Sequence, residues 1–259
     1  MRGFKKKSHV SIAVHLIFII FATTKRKKGR MNGTDTERLS QKGKCNKAPV
    51  DSILEEAEAV ARGVLESIQT LTGTTACKGI QIKNLKAWAV ANNHWIDDVE
   101  VLGNYADRGS ENEVYLSKDN ETVYKLNDFR YSDDNLTPFF DRLEAQKLYF
   151  PDCAYILVGF AMNRSGKVCA VIRQSYIISS REATEAEINH ELQELGFEPQ
   201  MNGECYSNGI HDIFDATPGN VLVGIDGNLY FIDTIIYKSD DSNMEIYRTQ
   251  SPRFNNQQG

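Results

Sequence analysis

The stretch that decides the fold is residues 211–233, HDIFDATPGNVLVGIDGNLYFID. Within it, Asp215-Ala216-Thr217-Pro218-Gly219-Asn220 places an aspartate and an asparagine around a proline-glycine pair. An Asp-x-x-x-x-Asn step alone recurs by chance. Here an apolar run, Val221-Leu222-Val223, follows directly, and a second aspartate, Asp233, closes Tyr230-Phe231-Ile232-Asp233. The Asp226-Gly227 pair between the two apolar runs predicts a hairpin, Asn220–Gly224 against Asn228–Thr234.

Upstream, Glu182–Leu195 reads as a charged helix, with Thr184 as its cap and Glu187 completing a capping box. Before it, Ala154–Met162 and Val168–Ser175 read as strands joined by the turn Asn163-Arg164-Ser165-Gly166. A helix from about Pro138 to Tyr149 precedes them. Val114-Tyr115-Leu116 and Thr122-Val123-Tyr124-Lys125-Leu126 form a further hairpin around Lys118–Glu121. Lys125 stands inside an apolar strand, where a lysine asks for a partner. Two helices come earlier still. The first starts near Pro49, carries Ile53, Leu54, Ala57, Val60, Ala61, Val64, Leu65 and Ile68 at helical spacing, and has acidic residues in its early turns. The second runs over about Ile82–Asn92, with Leu85, Trp88 and Ala89 on one face.

The first thirty residues differ from the rest. Lysines flank an apolar run, Val10 to Ala22, which is shorter than the about 20 residues of a membrane span. No small-residue cleavage site follows, and a basic cluster, Lys25–Lys28, disfavours export. Three readings stay open: a membrane anchor, an uncleaved signal-like element, or translation that starts at Met31. Residues 31–49 read as a disordered linker. The 259 residues are 41% hydrophobic, enough for a core, and the formal net charge is −5. That balance argues against a general nucleic-acid binder. The five cysteines, Cys45, Cys77, Cys153, Cys169 and Cys205, contain no Cys-x-x-Cys pair. They read as small buried hydrophobes in a reducing cytoplasm rather than as a zinc site or a disulfide framework.

Residues 215–220 resemble the Asp-x-x-Pro-x-Asn catalytic loop of protein kinases, and Lys125 in Val123-Tyr124-Lys125-Leu126 resembles the phosphate-gripping lysine strand. The wider pattern includes Trp88, Trp95–Asp98, Glu111–Tyr115, Thr122–Lys125, the Gln174 region and Pro218–Leu222. It resembles the kinase-like domain of polyvalent proteins in bacterial, Bacteroides-type mobile elements. Pro218–Val223 is also similar to aminoglycoside-phosphotransferase-like enzymes. The resemblance implies ATP and Mg2+ as cofactors and assigns roles. Asp215 would orient the acceptor hydroxyl, while Asn220 and Asp233 would hold magnesium. Lys125, fixed by Glu144 on the next helix, would grip the phosphates. Gly103–Val114 would replace the glycine-rich loop, with amides from Gly109 and Ser110 to Asn112 near phosphate and Val114 over the adenine. Only Gly109 keeps the family's glycine spacing, and Glu111 and Glu113 bring negative charge to that loop. Val171–Tyr176, with Gln174 and Tyr176, would stand at the hinge, or form a plain core strand that leads into a loop.

The chain departs from ordinary kinases. Ile213 replaces the expected histidine, Thr234 follows Asp233 in place of Phe-Gly, and only residues 234–259 remain for a substrate-binding lobe. The implied fold is α+β: a compact, C-terminally truncated, protein-kinase-like two-lobed fold with N-terminal helices ahead of the small lobe. The expected layout is an N-terminal segment 1–30, a linker 31–49 and a helical extension 50–98. An N-lobe 99–176, a reduced C-lobe 177–245 and a flexible tail 246–259 follow. The expected function is phosphotransfer from ATP to a hydroxyl of an unknown protein or small-molecule acceptor. The alternatives are an inactive pseudokinase-like interaction module and a small-molecule phosphotransferase. Membrane contact would come through residues 1–30.

Overall fold

A computed structural model describes residues 52–109 and 111–250. The readings placed on residues 1–49, Cys45 and Ser110 lie outside them. Helices α1 (Ser52–Thr72) and α2 (Lys78–Ala91) follow the apolar spacing seen in the sequence. They bury Leu54, Ala57 and Ala61, and Leu85 and Ala89, respectively. Gln81 ties the pair together: its Nε2 donates to the Ala61 carbonyl at 2.9 Å, and its Oε1 accepts from the Leu136 amide at 2.8 Å. No helix among the described residues is long and apolar enough to cross a membrane.

The strands run in chain order as β1 (Trp95–Ile96), β2 (Asn104–Arg108), β3 (Asn112–Leu116), β4 (Thr122–Asn127), β5 (Ile156–Met162) and β6 (Val168–Ser175). They form one sheet in the order β1-β5-β6-β4-β3-β2, antiparallel except where β1 lies parallel to β5. Helix α3 (Thr137–Tyr149) connects β4 to β5. One face of the sheet buries Leu157, Phe160, Ala170 and Ile172 against Phe139, Phe140 and Leu143 of α3 and against the apolar faces of α1 and α2. The other face buries Leu102, Tyr115, Leu126 and Val171. The helical extension is therefore part of the small lobe's core, not a separate unit in front of it.

The second half is built from short strands. β7 (Ser179–Glu182) precedes helix α4 (Glu185–Glu194), and β8 (Glu198–Gln200), β9 (Cys205–Ser207) and β10 (His211–Phe214) follow it. The hairpin β11 (Val221–Gly224) and β12 (Leu229–Phe231) comes next, then β13 (Ile235–Lys238) and helix α5 (Asp241–Gln250). β12-β11-β7 and β13-β10-β9-β8 make two small sheets. Their core is Ile188, Leu192, Phe197, Ile213, Val221, Phe231 and Ile236. The mixed α+β fold with leading helices agrees with the expectation. α5 carries helix to Gln250, past the boundary at 246 where a tail was expected.

Cys77, Cys153, Cys169 and Cys205 are buried and stand outside any disulfide among the described residues. Burial pushes the Cys153 and Cys169 thiols up to about 12. Low-dielectric surroundings penalise a thiolate, so these thiols are inert at neutral pH.

Candidate active site

The loop after β10 is closed by its own polar groups. Thr217 N donates to the Asp215 carbonyl at 2.9 Å, and Asn220 N donates to the Thr217 carbonyl at 2.8 Å. Asn220 Nδ2 also donates to the Asp215 carbonyl, at 2.8 Å. Asp215 itself has φ 57°, a left-handed conformation uncommon for a residue with a side chain. Two braces from Asn220 and Thr217 hold it there. The Asn220 carbonyl accepts from Ile232 N at 2.9 Å, which locks this loop beside the bend that carries Asp233. Asn220 Oδ1 is buried and has no hydrogen-bond partner in the protein.

The bend at residues 232–234 is clamped from the small lobe. Gln146 of α3 donates to the Phe231 carbonyl at 2.8 Å, and the Thr234 hydroxyl lies 3.4 Å from Gln146 Oε1. Tyr155 donates its hydroxyl to the Ile232 carbonyl at 2.9 Å. Lys125 Nζ reaches the same carbonyl at 2.7 Å and Asp233 Oδ1 at 3.1 Å. The ammonium also lies 4.8 Å from the centre of the Tyr155 ring. Burial works against the Lys125 charge, but Asp233 and Tyr155 more than offset it, and the lysine's pKa is raised.

Lys125, Asp215 and Asp233 line one cleft together with Gly109, Glu111, Asn112, Val114 and Arg142. Burial, and then the nearby Asp233 carboxylate, raise the pKa of Asp215. Two carboxylates facing one space repel unless a cation lies between them, as in a metal site.

Several expectations need correction. Glu144 is exposed and does not meet Lys125. Its carboxyl is raised by partial burial and by Glu58 and Asp141. The partner of Lys125 is Asp233. The α3 residue turned into the cleft is Arg142, whose guanidinium pairs with Glu111 at 2.6 Å. Gln174 sends its side chain inward to the Cys153 carbonyl at 2.7 Å, away from the cleft. Tyr176 N is used by the Glu121 carbonyl at 2.8 Å, so it is not free to bind adenine. Neither Gln174 nor Tyr176 lines the cleft. Gly109 N donates to the Asn112 carbonyl at 2.8 Å, which closes the β2–β3 turn. Glu113 turns from the cleft to Arg108 and the Arg164 amide.

Arg142, Gln146 and Tyr155 escaped the sequence reading. One signal for the first two was available: Phe139, Arg142, Leu143 and Gln146 share a stripe at helical spacing. Once the two apolar members face the core, Arg142 and Gln146 face it as well. Tyr155 has no comparable signature.

A family model described as the serine/threonine/tyrosine kinase found in polyvalent proteins matches residues 78–240, more than half of the chain. The chain belongs to this kinase family. The matched span runs from α2 through β13, so it takes in both small-lobe helices' partners and the whole cleft. No curated protein and no solved structure matches the chain. The family match speaks for the kinases of polyvalent proteins and leaves the likeness to aminoglycoside phosphotransferases without support.

Proposed function

We propose that the protein is an ATP- and magnesium-dependent phosphotransferase that moves the γ-phosphoryl group to a hydroxyl of an acceptor. The observation that carries this is the meeting of Lys125, Asp215 and Asp233 in one cleft, with Asn220 braced beside them. The residues suit magnesium. Asn220 Oδ1 is a buried acceptor without a partner, and Asp233 is a carboxylate one residue beyond the Asn220–Ile232 backbone bond. Magnesium takes oxygen ligands, one or two from protein carboxylates and the rest from phosphate and water. A larger cluster of acidic ligands is therefore not required, and no three-residue metal cluster occurs among the described residues.

In this reading Asn220 and Asp233 would hold the metal, which would supply neutralising charge. Lys125 then leaves Asp233 for a phosphate oxygen and keeps its contacts with Tyr155 and the Ile232 carbonyl. Asp215 orients the acceptor hydroxyl and takes up its proton, a role helped by a raised carboxyl pKa. Val114 lies over the base of the nucleotide.

The test is incubation with γ-labelled ATP and magnesium together with a thermal-shift scan. Mg-ATP should raise the melting temperature by mass action. Asp233→Ala should remove the magnesium-dependent part of that shift. Asp215→Ala should keep the shift and lose transfer. Equal transfer by both variants and the wild type would discard the assignment. A second reading, a nucleotide-binding module without turnover, is favoured by one observation. Lys125 is held by Asp233 and not by a helix carboxylate. A Mg-ATP thermal shift without label transfer to any hydroxyl in an unbiased acceptor screen would select it.

A further inference from the structure

Arg142 is a buried cation that the roles above leave unused. Its side chain is 9% exposed and that of Glu111, its partner, 10%. Its other bonds are poor. Nη2 reaches the Thr234 carbonyl only at 3.4 Å, and Nε is buried without a partner. A guanidinium offers five donors in a fixed fork, and a buried donor left unpaired is costly. Burial works against the charge and Glu111 offsets it, so the group stays ionised, with its pKa raised.

A purely structural role explains this poorly. Gln146, one turn along α3, already ties the helix to Phe231 and Thr234. A buried ion pair adds little net stability over well-packed apolar residues. Glu111, moreover, comes from the turn between β2 and β3 and lines the cleft with Arg142, Lys125, Asp215 and Asp233. Its carbonyl is fixed by Asp128 N at 3.0 Å, so the carboxylate can leave Arg142 by side-chain rotation without unzipping the hairpin. A carboxylate held against a buried cation at the wall of this cleft stands where a phosphate would.

We propose that Arg142 is a phosphate-binding residue of this cleft. Glu111 is its internal competitor, and a polyphosphate chain displaces it. The fork of arginine matches phosphate oxygens bidentately, and a phosphate would supply the acceptors that Nε and Nη2 lack. The polyphosphate would then lie between two buried cations, Lys125 and Arg142. The proposal rests on the nucleotide reading only for the identity of the natural ligand.

The test is calorimetric titration of the full chain with Mg-ATP, magnesium tripolyphosphate and adenosine. The proteins are the wild type, Glu111→Gln, Arg142→Met, Arg142→Lys and the double variant Glu111→Gln/Arg142→Met. Glu111→Gln should bind ATP and tripolyphosphate about threefold or more tightly, because the competing charge is gone, with adenosine unchanged. Arg142→Met should weaken both polyphosphates about tenfold or more, and Arg142→Lys should recover part of that loss. The double variant should bind as weakly as Arg142→Met. Unchanged or weaker tripolyphosphate binding by Glu111→Gln overturns the proposal, as does absence of binding in both wild type and Glu111→Gln. Should Arg142→Met fail to fold, the comparison of wild type with Glu111→Gln still decides. A Glu111→Gln effect on tripolyphosphate without phosphoryl transfer would keep the proposal and discard the kinase reading. Transfer by the wild type with Glu111→Gln indistinguishable from it would do the reverse.

Discussion

Asp215 shows how a residue that lines the cleft can work against the fold that holds it. Its carboxyl is partly buried, faces Asp233, and sits at φ 57°. Because its folded pKa lies above the ordinary value of 3.8, the proton is held more tightly in the folded state. Its favourable contribution is complete below that ordinary value and is lost as pH rises through the raised one. At neutral pH the charged side chain therefore destabilises. Asp215→Asn should raise the melting temperature by a small amount, on the order of 1–2 °C, since solvent screens the partly exposed repulsion. Asparagine tolerates the left-handed backbone, so no strain offsets the gain. The gain should vanish in acid, and turnover should fall by about a hundredfold or more. A lower melting temperature at neutral pH would refute this account. Lys125, Asp215, Asn220 and Asp233 could be singled out from the sequence because each lies within a short segment of fixed spacing, and Lys125, Asp215 and Asp233 line one cleft. Glu144 was not: two positions on a helix differ by about 200°, and only packing decides which of Arg142 and Glu144 turns inward.

At the scale of elements, local chemistry was readable and distant pairing was not. The hairpins at Lys118–Glu121, Asn163–Gly166 and Asp226-Gly227 fall where turn residues interrupt apolar runs. β7, β8, β9 and β13 are three or four residues long, too short for a period to mark them, and β7 and β13 find their partners, β11 and β10, far along the chain. β2 carries no alternating apolar signal, because Asn104-Tyr105-Ala106-Asp107-Arg108 is mostly polar. The start of α4 was the clearest local signal. Thr184 Oγ1 accepts from Glu187 N, Glu187 Oε2 accepts from Thr184 N at 2.8 Å, and Arg181 holds the same carboxylate. Arg181 and these cap bonds lower the Glu187 pKa to about 2. A depressed carboxyl contributes stability above its ordinary value of 4.5 and loses it as pH falls toward about 2. Thr184→Ala should cost about 1 kcal/mol, or about 2–4 °C in a domain of this size. Acid melting curves of Glu187→Gln should show a smaller fall in stability over that window than the wild type. An unchanged pH profile would show that the box contributes nothing.

At the scale of the whole molecule, the helices ahead of the sheet decide whether the cleft has a rigid roof. α1 and α2 share one core with α3, β5 and β6, and α3 turns Arg142 into the cleft and Gln146 onto the Phe231 carbonyl beside it. The seam between the helices and the sheet is a close backbone approach. His94, just after α2, accepts from Phe160 N at 2.8 Å, and β1 then pairs with β5. Gly159 makes that approach feasible. Its φ is 152°, and a Cβ there would lie 2.4 Å from the His94 carbonyl oxygen. Neither atom belongs to a flexible side chain, so one backbone must move. Gly159→Ala should therefore cost about 2–4 kcal/mol, in the range of severe core defects. The melting temperature should drop by several degrees, and amide exchange should quicken at Trp95, Ile96 and Phe160 first. If the helices brace α3 through the shared core, Mg-ATP affinity should fall with stability. A variant that melts within a degree of wild type would show that the helices rest loosely on the sheet. Lost stability with unchanged nucleotide affinity would show instead that α3 holds its cleft residues without them.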